Sequence, residues 1–182
     1  STAAVEHTLN IPARVKSIKS IFVRLCLAAN VAAQASFGVG VGQKQTATQW
    51  QFKVGSVLYP AAPVTVSATN VAETYAECMK ALGRLGDLSH STNATLTGFT
   101  KDYDATTTGV EQQSFTIGYD FEAFQKSALE SGINTADRAL PISLSLTCKS
   151  QAADASAGDV RADAFVLCDA IFYVNMDGTV SV

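Results

Sequence analysis

Histidines and glycine-rich segments are the first places to look for chemistry in this sequence. His7 and His90 are the only histidines, and both lie in polar segments. A catalytic triad needs a histidine buried beside its nucleophile, and the chain contains neither GxSxG nor HExxH. The Gly-rich run 37–42 is not GxGxxG followed by a helix, and no GxxxxGK phosphate loop occurs. We therefore predict no catalytic residue, no cofactor and no cofactor-binding residue.

Two pairs of acidic residues deserve the same scrutiny. Asp102 and Asp104 flank Tyr103, and Asp159 and Asp163 flank Arg161. Such pairs could serve a glycosidase or hold calcium. Neither stretch has the density of carboxylates in a calcium-binding loop, so solvated loop charge is the preferred interpretation. A hydrolase that uses Asp102 and Asp104 remains a minor alternative.

The four cysteines, Cys26, Cys78, Cys148 and Cys168, form no CxxC pair and have no histidine nearby in sequence. This spacing predicts no metal site. Each lies in an apolar segment, where cysteine commonly acts as a small buried hydrophobe. We expect free, buried thiols, which favours a reducing compartment.

Low charge is the main feature of the composition. Of the 182 residues, 47% are hydrophobic and 16% are charged, against roughly 25% charged in a typical domain. This favours a surface partly covered by neighbouring copies, although a compact monomer with a Ser/Thr-rich surface is an alternative. The net charge of −3 argues against a specific nucleic-acid partner. No apolar run approaches the roughly 18 residues of a membrane-spanning segment.

The charge is also unevenly distributed. Residues 1–60 hold six cations and one carboxylate, a balance of +5, which leaves −8 for the remainder. A basic end and an acidic end could attract each other between copies of the chain, and chance asymmetry is the alternative.

Alternation with period two is the dominant pattern and predicts strands with one face on a core. Trp50, Phe52 and Val54 alternate with polar residues. The same pattern recurs in 114–121 and, most clearly, in 140–149. Two predicted strands, 18–28 and 164–174, are apolar on both faces, which indicates burial between layers or contact with another subunit.

The predicted strand 164–174 supplies the candidate assembly interface. Val166, Phe172 and Val174 share one of its faces, whereas Asp169 interrupts the other as either a paired residue or an edge gatekeeper. Asp177-Gly178 predicts a tight turn into a short final strand, 179–182.

Two helices and three loops complete the prediction. The first helix begins with Asn70 as N-cap and Glu73 in a capping box, and it ends near Gly86. The second spans roughly 121–131. Residues 34–48, 87–112 and 150–160 are predicted loops.

Several ordered stretches resemble the C-terminal jelly-roll of double jelly-roll major capsid proteins from DNA viruses of the virophage, Polinton-like and adintovirus branch. These stretches lie in order and cover about half of the chain: Ile11–Phe22, Phe52–Ser56 with Tyr59-Pro60 and Pro63-Val64, Glu73–Ala81, Tyr119–Phe124 with Ser131–Thr135, and Asp169–Phe172. A double jelly-roll protein is far longer than 182 residues. The chain would therefore be a separated half of such a protein or a single jelly-roll relative.

The resemblance implies a mainly β fold, an antiparallel jelly-roll β-sandwich in one domain, 1–182, with one or two short helices in its connections. It also implies a non-enzymatic structural protein that self-assembles into a viral capsid shell and is located in the virion. Its partners would be copies of itself and other capsid proteins, in trimers or higher assemblies. The alternative function is a ligand- or glycan-binding β-sandwich module, similar to a lectin or adhesin, with its site in the long loops.

Overall fold

The structure is a computed structural model. It describes residues 4–27, 42, 44, 46–67, 70–83, 94–100, 114–122, 131–136, 140–149, 160–170 and 172–181. In these residues the strands are β1 (Ala4–Ile11), β2 (Ile18–Leu27), β3 (Ala47–Val54), β4 (Val57–Thr65), β5 (Thr116–Asp120), β6 (Ile142–Lys149), β7 (Val160–Cys168), β8 (Tyr173–Val174) and β9 (Val180–Ser181). The helices are α1 (Ala72–Ala81) and α2 (Leu96–Thr100).

Two antiparallel sheets form the body of the molecule. One has the strand order β1-β6-β3-β4 and the other has the order β5-β2-β7, while β8 and β9 form a separate hairpin. The strand pairs are nested along the chain, because β1 pairs with β6, β2 with β5, and β3 with β4. The prediction of a mainly β, antiparallel fold is confirmed.

The alternating residues of the sequence build the core between the sheets. Trp50, Phe52 and Val54 are buried on β3, and the matching residues of β6, Ile142, Leu144 and Leu146, are buried beside them. From the facing sheet, Tyr119 and Phe121 reach Phe52, and the rings of Phe52 and Phe121 lie 5.8 Å apart at 74°. Burying one such side chain contributes about 1.5–3 kcal/mol, so the shared apolar faces hold the two sheets together.

Helix α1 lies where the sequence placed it, but its caps differ from the prediction. Val71 occupies the N-cap without a side-chain hydrogen bond. The Asn70 backbone N–H instead donates to Ser67 Oγ at 2.9 Å, which places Asn70 in a local turn. The prediction of a capping box that begins at Asn70 is therefore wrong. The helix ends at Ala81 with Leu82 as its C-cap. Gly83 follows with a φ of +65°, which suits glycine, and its N–H donates to the Lys80 carbonyl; Gly86 lies outside the described residues.

Helix α2 lies inside residues 87–112, which the sequence predicted as a loop. Thr95 Oγ1 accepts a hydrogen bond from the Gly98 N–H at 3.1 Å, a typical N-terminal cap. Phe99 is fully buried and packs edge-on against Tyr75, with ring centroids 5.1 Å apart. Because Phe99 lies in a mostly polar stretch, the local sequence pattern did not predict α2.

The remaining loop and helix predictions fall mostly on residues that are not described. These include most of 34–48, residues 87–93 and 101–112, and 150–159. Where the predicted loops are described, Ala47 and Thr48 belong to β3 and Val160 belongs to β7. The described residues of the predicted second helix are Phe121, Glu122 and Ser131, and none of them is helical; residues 123–130 lie outside the described part.

Helix α1 closes one side of the sandwich. It contacts β5 and β2 of one sheet and β4 of the other. The Trp50 Nε1–H donates to Thr74 Oγ1 at 2.9 Å, which ties the helix to the core. The opposite edges of the two sheets, β1 and β7, carry no further strand or helix in the described parts of the chain. We call the side covered by α1 the sealed side, and the side with the edge strands β1 and β7 the open side.

Candidate assembly surface

Strand β7 ends at Cys168, so the prediction of one strand through Val174 is wrong beyond that residue. Asp169 bonds to the segment before β2 through its backbone N–H, which donates to the Ser17 carbonyl at 3.1 Å. Its carboxylate also accepts a hydrogen bond from Ser17 Oγ at 2.9 Å. Of the two roles expected for Asp169, the structure therefore has the paired one.

Lys19 also binds Asp169 at the end of β7. Its ammonium lies 3.1 Å from both Asp169 Oδ1 and Glu122 Oε1. Hydrogen bonds to Asp169 and then to Glu122 raise the pKa of Lys19. Ser131 Oγ donates to the same Glu122 oxygen at 2.9 Å. The anchor, defined as Ser17, Lys19, Glu122 and Asp169, joins the start of β2 to the ends of β5 and β7, and fixes where the C-terminal segment leaves the body.

The three residues of the candidate interface lie in different settings. Val166 is partly buried against the core, because it is the register partner of the buried Ile21. Phe172 and Val174 lie beyond the anchor and are exposed, at 63% and 75%. The structure brings Phe172 and Val174 to one exposed segment but does not place Val166 on it.

The outer face of β7 carries two apolar side chains that the sequence prediction did not select. Phe165 is 56% exposed and Leu167 is 53% exposed. Phe165 lies opposite the half-buried Phe22 of β2. Both faces of this strand are apolar in sequence, so only the pairing with β2, which buries Ile21 and Val23 on the inner side, distinguishes the outer residues.

The C-terminal hairpin, residues 172–181, carries further exposed apolar side chains. Its exposed residues include Phe172, Tyr173, Val174, Met176 and Val180. The predicted Asp177-Gly178 turn is confirmed, since Gly178 has φ +83° and its N–H donates to the Asn175 carbonyl. Asp177 Oδ1 accepts hydrogen bonds from both the backbone N–H and the hydroxyl of Thr179. The tip is thus well ordered by its own bonds.

Charged residues on β7 lie beside this apolar surface. Asp163 pairs with Arg161 at 2.6 Å and with Arg24 of β2 at 3.3 Å. Partial burial alone would raise the pKa of Asp163, but the hydrogen bonds and charges of Arg161 and Arg24 outweigh it and lower that pKa. Asp163 was expected in a solvated loop, and it instead bridges two strands.

All four cysteines are free thiols, as expected, but they differ in accessibility. Cys26 and Cys78 are buried, and Cys148 is partly buried. Burial raises the pKa of Cys78 to about 12, so its thiol stays protonated at neutral pH. Cys168 is exposed at the end of β7, where the sequence predicted a buried thiol.

The residues considered for catalysis do not converge in the described structure. His7 is exposed on β1, and His90, Asp102, Asp104 and Asp159 lie outside the described residues. Across the described ranges, no three His, Cys, Asp or Glu side chains gather as potential metal ligands. The helices among these residues are also too short or too polar to cross a membrane.

A shallow polar groove of about 210 Å³ crosses the outer face of the four-stranded sheet. Its polar lining comes from Glu6, Gln49, Gln51, Ser145 and Thr147. Ser145 Oγ donates to Glu6 Oε1 at 2.6 Å, and the Gln51 amide donates to the Pro60 carbonyl at 2.9 Å. The groove offers hydrogen-bonding groups but no exposed aromatic ring among its lining residues.

Comparisons of this chain with protein-family models, with curated proteins and with solved structures find no match.

Proposed function

We propose that this chain is a structural protein that self-assembles into a viral capsid shell, with its open side as the contact surface. The observation that carries the proposal is the exposure of apolar side chains on β7, at Phe165 and Leu167, and separately along the hairpin 172–181. Exposed apolar patches on folded proteins mark interaction sites. Among the described elements, α1 makes no substantial contact with β7.

The strand order supports a jelly-roll for this proposed capsid subunit. Nested pairs, β1 with β6, β2 with β5 and β3 with β4, arise when a long two-stranded ribbon folds over itself. Such winding, with β6 also pairing with β3, is what we would expect of a jelly-roll sandwich. Jelly-rolls are frequent in viral capsids and in lectins, so the fold favours both functions and the apolar surface favours the first.

Assembly by this surface would rest on burial and repetition. Each contact gains about 25 cal/mol per Å² of apolar surface removed from water, less the costs of association. Individually weak contacts sum to a stable shell when every subunit makes several of them. The unpaired edges of β1 and β7 add backbone hydrogen-bonding groups that a neighbouring copy could satisfy.

The test compares two matched double variants with the wild type. Phe165→Ser with Leu167→Ser removes the β7 residues, and Val57→Ser with Leu58→Ser removes two similarly exposed apolar residues of β4 on the sealed side. We expect the wild type and the β4 variant to form oligomers or particles in light scattering and negative-stain images, and the β7 variant to remain a monomer. A monomeric wild type at high concentration, or equal effects of both variants, would overturn the proposal.

The polar groove supports a second candidate, a ligand- or glycan-binding module. Glu6, Gln49 and Gln51 present carboxylate and amide groups of the kind that bind hydroxyl-rich ligands. Glycan-array binding by the wild type that is lost in Gln51→Ala, with no oligomer in solution, would favour this candidate over the capsid subunit.

A further inference from the structure

The tip of the C-terminal hairpin has an apolar side chain and a charge for which the described residues of its own chain offer no partner outside the hairpin. Met176 is fully exposed at the turn, and Asp177 lies next to it. Of the described elements, β8 and β9 make substantial contact only with each other. Internal hydrogen bonds from Thr179 nevertheless hold the tip in one conformation. A preorganised apolar side chain beside a carboxylate loses little entropy on docking.

A complementary groove lies at the end of β1. It has a volume of about 140 Å³ and is lined by Asn10, Ile11, Pro12, Ala13, Arg14, Leu140, Pro141 and Ile142. This volume is well below the roughly 300 Å³ of small-molecule pockets, so the groove suits a single side chain. Among the described residues of its lining, Arg14 is the only charged one. No residue of the chain's own hairpin contributes to it.

The groove and the hairpin lie near the same end of the molecule. The segment that contains Arg14 is held by Thr135, whose N–H donates to the Val15 carbonyl at 2.9 Å. The same segment continues to Ser17, which binds Asp169 where the C-terminal segment leaves β7. Two copies that meet end to end could therefore exchange hairpins reciprocally, as in an interface with two-fold symmetry.

We propose that the hairpin tip of one copy docks in this groove of a second copy, with Met176 in the apolar part and the Asp177 carboxylate against the Arg14 guanidinium. Reciprocal exchange makes a two-fold dimer. The inference deepens the proposed assembly function, because it names the contact by which two subunits meet. Hydrogen bonds from Thr179 lower the pKa of Asp177, which keeps its carboxylate ionised at neutral pH.

Charge reversal in the full chain tests the pairing. Arg14→Asp and Asp177→Arg each place like charges together, and we expect each to weaken self-association by about tenfold or more. An equimolar mixture of the two variants restores both contacts of a reciprocal dimer, because each groove then faces a hairpin of opposite charge. The mixture should therefore associate as strongly as the wild type, as measured by sedimentation equilibrium.

Two further variants complete the design. Met176→Gln should weaken association without changing the melting temperature, because the tip packs against no other described element. Lys53→Asp, an exposed charge change on β3 outside the groove, should leave association unchanged. If the wild type associates but the reversals do not weaken it, or the mixture fails to recover it, this inference is wrong while the assembly proposal stands. A wild type that stays monomeric overturns both.

Discussion

At the scale of single residues, Thr74 is the polar group on which the sealed side depends. Its hydroxyl is fully buried and accepts the indole N–H of Trp50 at 2.9 Å. In Thr74→Val the shape is nearly kept but the indole N–H has no acceptor. We expect a loss of about 1–3 kcal/mol in the free energy of unfolding, measured by urea denaturation. Thr74→Ser keeps the acceptor and is the control; equal losses in both variants would contradict the assignment.

Lys19 gives the structure a dependence on alkaline pH. Because its pKa is raised above the ordinary 10.5 in the folded state, its ion pairs stabilise the fold fully below that pH, and their contribution is lost as pH rises through the higher folded pKa. The melting temperature of the wild type should therefore exceed that of Lys19→Met by a constant margin from pH 7 to 9.5. The margin should shrink above pH 10.5. A margin that persists unchanged to pH 11.5 would contradict this role.

Residue-level patterns predicted the core well and the anchor poorly. The alternation at Trp50, Phe52 and Val54 is local, so the sequence alone identifies these buried residues. The role of Asp169 depends on Ser17 and Lys19, which are distant in sequence and meet it only in the folded sheet. Asn70 was mispredicted for a different reason, because a local turn with Ser67 competes with helix capping.

At the scale of elements, Gly118 determines how closely α1 approaches β5. A Cβ at this position would lie 3.0 Å from the Cys78 Cα and 3.0 Å from the Phe22 ring. Gly118→Ala must therefore displace the helix or the ring, at a cost of about 1–3 kcal/mol. Thr116→Ala, on the same face of β5, is the matched control and should cost less. Thermal unfolding compares the two, and an unchanged stability of Gly118→Ala would show that the helix yields freely.

The pairing of elements also explains why the interface was only partly predictable. A strand that is apolar on both faces shows no preferred face in its sequence. Only the pairing of Val166 with Ile21 assigns the inner side of β7 and leaves Phe165 and Leu167 outside. Likewise, β7 ends at Cys168, and the next residue, Asp169, bonds to Ser17 just before β2. No local sequence pattern encodes this contact.

At the scale of the whole molecule, Cys168 reports on assembly through the open side. Its thiol is exposed at the end of β7, whereas Cys78 is buried with a pKa near 12. In dilute monomer at pH 8 we expect Cys168 to react first with a thiol reagent and Cys78 to react only on unfolding. Assembly should protect Cys168. Mass spectrometry of labelled peptides measures both rates; equal labelling of Cys168 in monomer and assembly would place the contact elsewhere.

The nested strand order has a consequence for how the chain is made. Strand β1 pairs with β6, which lies more than 130 residues later in the chain. Strand β2 pairs with β5 and β7, which are also synthesised long after it. At a synthesis rate of about 5–20 residues per second, the apolar β2 remains unpaired for roughly 5–30 s on the ribosome. The hairpin β3–β4 is the only local pairing in the two large sheets of the described structure. We therefore expect folding to begin there, and the outer strand pairs to form afterwards. Pairing of strands that are distant in sequence is slow. The exposed apolar strands of a nascent chain must therefore be paired with its C-terminal third before they associate with another incomplete chain.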